Sequence, residues 1–161
     1  MNLMMLLEMA ATGFGDRTAI GSRDGSGITY QELFDRSGVA AASFESAGVA
    51  NVALVDISSP ALPIALFGSA WAGKPFIPLN YRLTPDELVA LSSEVSPSVT
   101  ICNEDTTNAL GDVNGVRKVL RSVFLETTTT GPPSDPAWSM NPDEIAILLY
   151  TSGTTGAPKA A

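Results

Sequence analysis

Residues 49–79 read VANVALVDISSPALPIALFGSAWAGKPFIPL, and this stretch decides the fold class. Val49 to Ile57 is a mostly apolar run carried by Val52, Ala53, Leu54 and Val55, interrupted at Asp56, which reads as a strand buried on both faces. Ser58, Ser59 and Pro60 then supply a helix start. Ala61 to Ala72 holds Leu62, Ile64, Leu66, Phe67, Ala70 and Trp71 among small residues, the pattern of a helix that packs closely on a sheet, with Trp71 in the core. Gly73 ends it before a second short strand at Phe76-Ile77-Pro78-Leu79. A strand, a helix and a strand in this order predict an α/β protein.

The same alternation continues outward. Leu83-Thr84-Pro85-Asp86-Glu87-Leu88 combines an apolar staple, a Thr N-cap, Pro at the first helical position and Glu at the third. The helix is expected to run to about Glu94, with Pro97 and then a buried strand at Val99-Thr100-Ile101 behind it. Two strand-helix alternations predict a mixed or mostly parallel sheet with packed helices. Upstream, Thr29-Tyr30-Gln31-Glu32 is a capping box stapled by Ile28 and Leu33, so a helix begins at Tyr30 and runs toward Ala47, with Gly48 as its stop. Before it, a strand over Thr18 to Ser22 and a turn through Asp24-Gly25-Ser26-Gly27 close a hairpin into Ile28. Leu3, Leu6, Leu7 and Ala10 recur at helical spacing and predict a core-facing first helix.

Beyond Ile101, residues 103–115 read as polar and turn-rich. Val116 to Leu125 fits a strand pair or a short helix, its apolar spacing leaving the period open. Thr127 to Pro133 reads as a loop, since Gly131 and two prolines interrupt extended pairing. Trp138, Met140 and Pro142 are expected to pack the following connection onto the body, and Ile145 to Tyr150 to form one more apolar strand.

The chain has 161 residues, 45% of them hydrophobic and only 16% charged, enough apolar content for one ordinary core and too much for disorder. Nine Lys and Arg against 17 Asp and Glu give a charge of -8, which disfavours a nonspecific electrostatic grip on nucleic acid or an anionic membrane. No histidine is present, so imidazole bases, Ser-His-Asp relays and His zinc sites are excluded for this chain acting alone. The single Cys102 sits among Val99, Thr100 and Ile101 and reads as a buried strand residue rather than a nucleophile. The opening apolar run lacks a basic leader, and no run is long enough for a membrane span, so a cytoplasmic location is expected.

Chemistry concentrates in Tyr150-Thr151-Ser152-Gly153-Thr154-Thr155-Gly156-Ala157-Pro158-Lys159, a polar, glycine-punctuated loop placed after an apolar strand. Gly153 and Gly156 permit close backbone approach, consecutive amides can form an anion nest, and Thr151, Ser152, Thr154 and Thr155 supply hydroxyl donors. Lys159 adds a positive charge. The loop is no Walker A sequence, because no Gly precedes Lys159 and no Ser or Thr follows it. Tyr150 reads as a packing residue at the strand end. Asp56, Asp86, Glu87, Asp143 and Glu144 do not make a recognisable Mg²⁺ cage, and Lys74 and Lys118 read as ordinary surface charges.

The run from Tyr150 to Lys159 closely resembles the signature loop of adenylate-forming enzymes, the group that includes acyl-CoA synthetases, luciferases and nonribosomal-peptide adenylation domains. Thr29-Tyr30-Gln31-Glu32-Leu33, Ala72 to Asn80 and Leu83 to Leu88 also resemble recurring segments of that family. The resemblance implies that residues 1–161 are a partial N-terminal AMP-binding domain of an acyl-CoA-synthetase-like fold, ending at the phosphate-handling loop, with the C-terminal domain absent. It implies ATP with Mg²⁺, coenzyme A as co-substrate, and a small-molecule carboxylic acid, a fatty acid among the candidates, as substrate. The acid is joined to AMP with loss of pyrophosphate, and a thiol of coenzyme A or of a carrier protein then displaces AMP. Carried over position by position, Thr151, Ser152, Gly153, Thr154, Thr155, Gly156 and Lys159 are the phosphate-binding residues, with Lys159 also catalytic. The family usually has Gly after the lysine, where this chain has Ala160. On this reading the chain alone does not complete the reaction. The alternatives are a truncated nucleotide-binding or regulatory protein, or a structural fragment that self-associates.

Overall fold

The computed structural model describes residues 2–21, 26–135, 137–141, 143–151 and 159–160. Helix α1 (Met4–Phe14) leads into the hairpin of β1 (Thr18–Gly21) and β2 (Gly27–Thr29), paired antiparallel with Ile20 opposite Ile28. Helix α2 (Tyr30–Ser46) follows without a break, its start held by the expected capping box. The Thr29 hydroxyl accepts from the Glu32 amide at 3.1 Å, and the Glu32 carboxylate accepts from the Thr29 amide at 2.7 Å. Then come β3 (Asn51–Val55), α3 (Ala61–Trp71), β4 (Phe76–Pro78), α4 (Pro85–Glu94) and β5 (Ser98–Cys102). The second capping box, Thr84 with Glu87, opens α4. Helix α5 (Glu104–Leu110), β6 (Val116–Leu120), α6 (Arg121–Thr130) and the short strands β7 (Tyr150–Thr151) and β8 (Lys159–Ala160) complete the described elements.

The central sheet has the order β4-β3-β5-β6, and every pair in it is parallel. From β3 the chain moves one way to β4, then back across β3 to β5 and on to β6. Crossovers of one hand that reverse direction must lie on opposite faces of the sheet. Alternate residues of β3 divide accordingly. Val52 and Leu54 join Leu33, Phe44, Ile64, Trp71 and Phe124 from α2, α3 and α6. Ala53 and Val55 join Leu88, Leu91, Val95 and Leu110 on the face covered by α4 and α5. The α/β class, the parallel sheet and the buried positions of Trp71 and Cys102 match the sequence reading.

Several expectations are corrected. Of the predicted stripe of α1, Leu7 is buried and Leu3 packs against the core, whereas Leu6 is 52% exposed and Met4 and Ala11 are the other buried positions. The polar stretch after Asn103 contains a helix, because the Asn103 side chain caps it by accepting from the Thr106 amide at 2.8 Å. Val116 to Leu125 is neither a strand pair nor a helix alone, since β6 gives way to α6 at Arg121. Thr127 to Thr130 are helical, not loop, and local propensity is overridden by docking: the Arg36 guanidinium donates to Leu125 O at 2.8 Å and to the Thr128 hydroxyl at 3.1 Å. Lys74 is no free surface charge, as its ammonium donates to Val49 O at 2.6 Å. Lys118 likewise donates to Gly111 O. Met140 is exposed instead of packed, and Pro142 lies outside the described residues.

Candidate functional site

The segment that leads to Tyr150 is held against the body of the fold. Trp138 stacks edge-on against Trp71 at 5.3 Å between ring centroids and also meets Phe34. The Trp71 indole donates to Asp135 O at 2.8 Å, and the Asn2 amide donates to Ser139 O at 2.9 Å. The chain thus clasped turns along the free edge of β4. There the Phe76 amide donates to Ala146 O at 2.9 Å and the Leu148 amide to Phe76 O at 3.0 Å, a parallel bridge between Phe76 and Ile147.

Ile145 to Tyr150 therefore runs as an edge segment of the sheet, only half as buried as its composition predicts. Leu148 and Tyr150 turn inward onto the α4 face. Ile145, Ile147 and Leu149 alternate with them and are 53%, 38% and 51% exposed. The expected strand over Ile145 to Tyr150 is reduced to a single bridge at Ile147 and the first residue of β7, and among the described residues only one face of the segment is covered.

Because this segment is parallel to β4, the chain leaves it at the carboxyl end of the sheet. In open α/β sheets ligands bind at that end. Here β7 and β8 pair antiparallel, with Tyr150 opposite Ala160 and Thr151 opposite Lys159. Of the predicted site residues, this brings the backbones of Thr151 and Lys159 together across the base of the intervening segment. Ser152, Gly153, Thr154, Thr155 and Gly156 lie outside the described residues.

Tyr150 anchors the near strand as the expected packing residue. Burial pushes its hydroxyl above the ordinary phenol range, and the charge of Glu94 and a hydrogen bond to that carboxylate push it further in the same direction. The phenol is thus protonated at neutral pH. Glu94, the last residue of α4, carried no signal in the sequence that would have paired it with Tyr150.

At the same end of the sheet, Asp56 follows β3 and Arg121 opens α6. One guanidinium nitrogen of Arg121 donates to both Asp56 carboxylate oxygens, at 2.8 and 3.0 Å, and the Asp56 side chain is fully buried. The Ile57 amide and the Ser59 hydroxyl complete its partners. This ion pair accounts for Asp56 without a metal. Among the described residues no group of three or more Asp, Glu, Cys or His side chains converges on a metal position. A separate open cleft of about 550 Å³ lies between α2 and the end of α6, away from this edge, lined by Ile28, Phe34, Arg36, Val39 and Pro133 among others.

A family model described as AMP-binding enzyme matches residues 7–161. The chain belongs to that family. Feruloyl-CoA synthase from an Amycolatopsis species is 32% identical over 85% of the chain and 28% of its own length. The 4-hydroxybutyrate–CoA ligase 2 of Metallosphaera sedula is 27% identical over 97% of the chain and 33% of its own length. Among solved structures, ATP-bound MatB from Rhodopseudomonas palustris superposes with a TM-score of 0.78 over all of this chain and 34% of its own, at 24% identity. The chain therefore spans about a third of the length of these relatives. Membership of that family places the chain in the adenylate-forming superfamily, and the two-faced parallel sheet is the fold of that family's N-terminal domain.

Proposed function

We propose that this chain is part of the N-terminal domain of an acyl-CoA synthetase that activates a carboxylic acid with ATP. A carboxylate oxygen attacks the α-phosphate, forming an acyl-adenylate as the bond to pyrophosphate breaks. The thiol of coenzyme A then attacks the acyl carbonyl, and AMP departs with the electrons of the broken mixed-anhydride bond. The observation that carries this reading is the Ser/Thr/Gly loop sequence set at the carboxyl end of a parallel sheet, with Thr151 in register with Lys159.

The donor chemistry fits a triphosphate. Backbone amides around Gly153 and Gly156 and the hydroxyls of Thr151, Ser152, Thr154 and Thr155 can surround the β- and γ-phosphate oxygens, and Lys159 offsets charge that accumulates on the departing pyrophosphate. Mg²⁺, when bound with ATP, supplies further charge neutralisation. The relatives named as coenzyme A ligases support coenzyme A as the acceptor. A cytoplasmic location belongs to this reading; among the described residues no helix is long and apolar enough to cross a membrane.

ATP titration of the wild-type chain beside Lys159→Ala tests the site. The expected result is saturable binding by wild type, weakened at least tenfold in the variant. Equal affinity would remove Lys159 from the phosphate site, and carboxylate-dependent pyrophosphate release by the full-length relative frame is the corresponding assay for the reaction.

A further inference from the structure

Residues 80–83 turn the chain from the carboxyl end of β4 toward α4. The Asn80 side-chain oxygen accepts from the Arg82 amide at 3.0 Å, and the Leu83 amide donates to Asn80 O at 3.2 Å, so the turn is held by its own first residue. Tyr81 is 45% exposed on it. The Arg82 guanidinium lies over the Tyr81 ring, 5.4 Å from the centroid, and its Nε donates to the Tyr81 hydroxyl at 3.1 Å. Arg36, Lys74 and Arg121 each direct their donors at oxygens of the fold. Arg82 directs one donor at a neutral phenol, and neither ion pair among the described residues includes it. In a chain of charge -8, its two terminal nitrogens thus have no partner among the described residues.

Strand β4 and the segment around Ile147 run parallel and side by side, so the 80–83 turn and Thr151 leave the sheet at the same end, the end at which open parallel sheets bind ligands. An arginine stacked on an aromatic ring keeps its donor edge free for phosphate, while the flat faces take a planar base. That combination suits phosphorylated adenosine, which the proposed reaction brings to the protein twice, in ATP and in coenzyme A. We infer that Tyr81 and Arg82 form a binding platform for the adenosine-phosphate end of coenzyme A. The donor sets divide the two nucleotides. The sequence from Thr151 to Lys159 offers hydroxyls, glycine amides and a lysine for a triphosphate but no aromatic face, whereas the turn offers a face and one cation. Its exposure fits a co-substrate that arrives after the acyl-adenylate has formed and departs as the thioester.

This inference rests on coenzyme A being the thiol acceptor of the proposed function. The test is calorimetric titration of the full chain with coenzyme A and, separately, with ATP, using wild type, Arg82→Gln, Tyr81→Leu and Lys159→Ala. Both turn residues are exposed, so their variants are expected to melt close to wild type. The expected outcome is a loss of about tenfold in coenzyme A affinity for Arg82→Gln and a smaller loss for Tyr81→Leu, with ATP affinity kept in both. Lys159→Ala shows the reverse order, losing more for ATP than for coenzyme A. Coenzyme A affinity that is unchanged in Arg82→Gln, or that falls no more than ATP affinity does, would overturn the platform. Binding of ATP but not of coenzyme A by wild type would overturn it while leaving the phosphate reading of Lys159 in place. Failure of wild type to bind either nucleotide would overturn both.

Discussion

At the scale of single residues, the Asp56–Arg121 pair carries the largest local penalty if broken. A carboxylate fully withdrawn from solvent is costly unless a charged partner and hydrogen bonds satisfy it. Arg121→Ala leaves that charge stranded and is expected to lower stability by about 3 kcal/mol, read as a shift in the urea midpoint. Asp56→Asn in the same background is expected to recover part of the loss; no recovery would mean that the guanidinium acts through packing alone. Glu32 and Glu87 give a second residue-scale expectation. Hydrogen bonds from Thr29 and Thr84, first from the backbone and then from the side chain, hold both carboxyls below their ordinary value of 4.5. Groups lowered on folding stabilise the native state above the unfolded value, and that contribution fades as pH falls through the folded one. Stability of the wild type is therefore expected to decline on acidification from about pH 5 downward, more steeply than that of Glu32→Gln with Glu87→Gln, as measured by denaturant midpoints across that range. Parallel profiles would show that the boxes do not contribute to acid sensitivity.

At the scale of elements, the contact between α2 and α3 depends on the absence of a side chain at Gly68. A Cβ there would stand 2.7 Å from the Ala40 methyl and 3.1 Å from Ser37 O, with the Phe44 ring at 3.3 Å. Gly68→Ala is expected to destabilise by about 1–3 kcal/mol, despite the better helix propensity of alanine, because the helices must part. A neutral or stabilised variant in chemical denaturation would show that they can separate without cost. The same scale explains which elements were legible beforehand. The starts of α2 and α4 were, since a capping box is encoded within four consecutive residues and needs no distant partner. The β3-α3-β4 unit was, because a strand buried on both faces and a small-residue helix leave distinct patterns. Helix α6 was not. Its four threonines oppose helix formation locally, and its support comes from Arg36, far away in sequence. Lys74 and Asp56 were misjudged or left open for the same reason, since only the assembled fold supplies Val49 O and Arg121. The phosphate chemistry proposed for residues 150–159 rests on their sequence, whereas the Phe76 edge beside which the preceding segment runs was invisible without the sheet order.

At the scale of the whole molecule, Cys102 reports the integrity of the fold. It lies fully buried in the central strand β5, within 3.1 Å of the Thr107 hydroxyl, and burial foremost pushes its thiol above the ordinary range. Thiol reagents are expected to label it only at the rate of global opening, so labelling accelerates through the denaturation transition; fast labelling in native buffer would show that the α4–α5 layer opens independently. The register between Phe76 and Ile147 has a temporal consequence as well. Strands β3 to β6 and the helices of both faces are supplied by residues up to Thr130, whereas the segment that presents the loop must close a long connection back to β4. Loop closure over such a span is an entropic cost met only after the sheet exists to receive it. During synthesis the scaffold can therefore consolidate before the loop-bearing edge arrives, and amides of 145–149 are expected to exchange with deuterium well ahead of those in β3 and β5. The Ile147 edge is thus expected to join the sheet after its parallel strands and to be released before them.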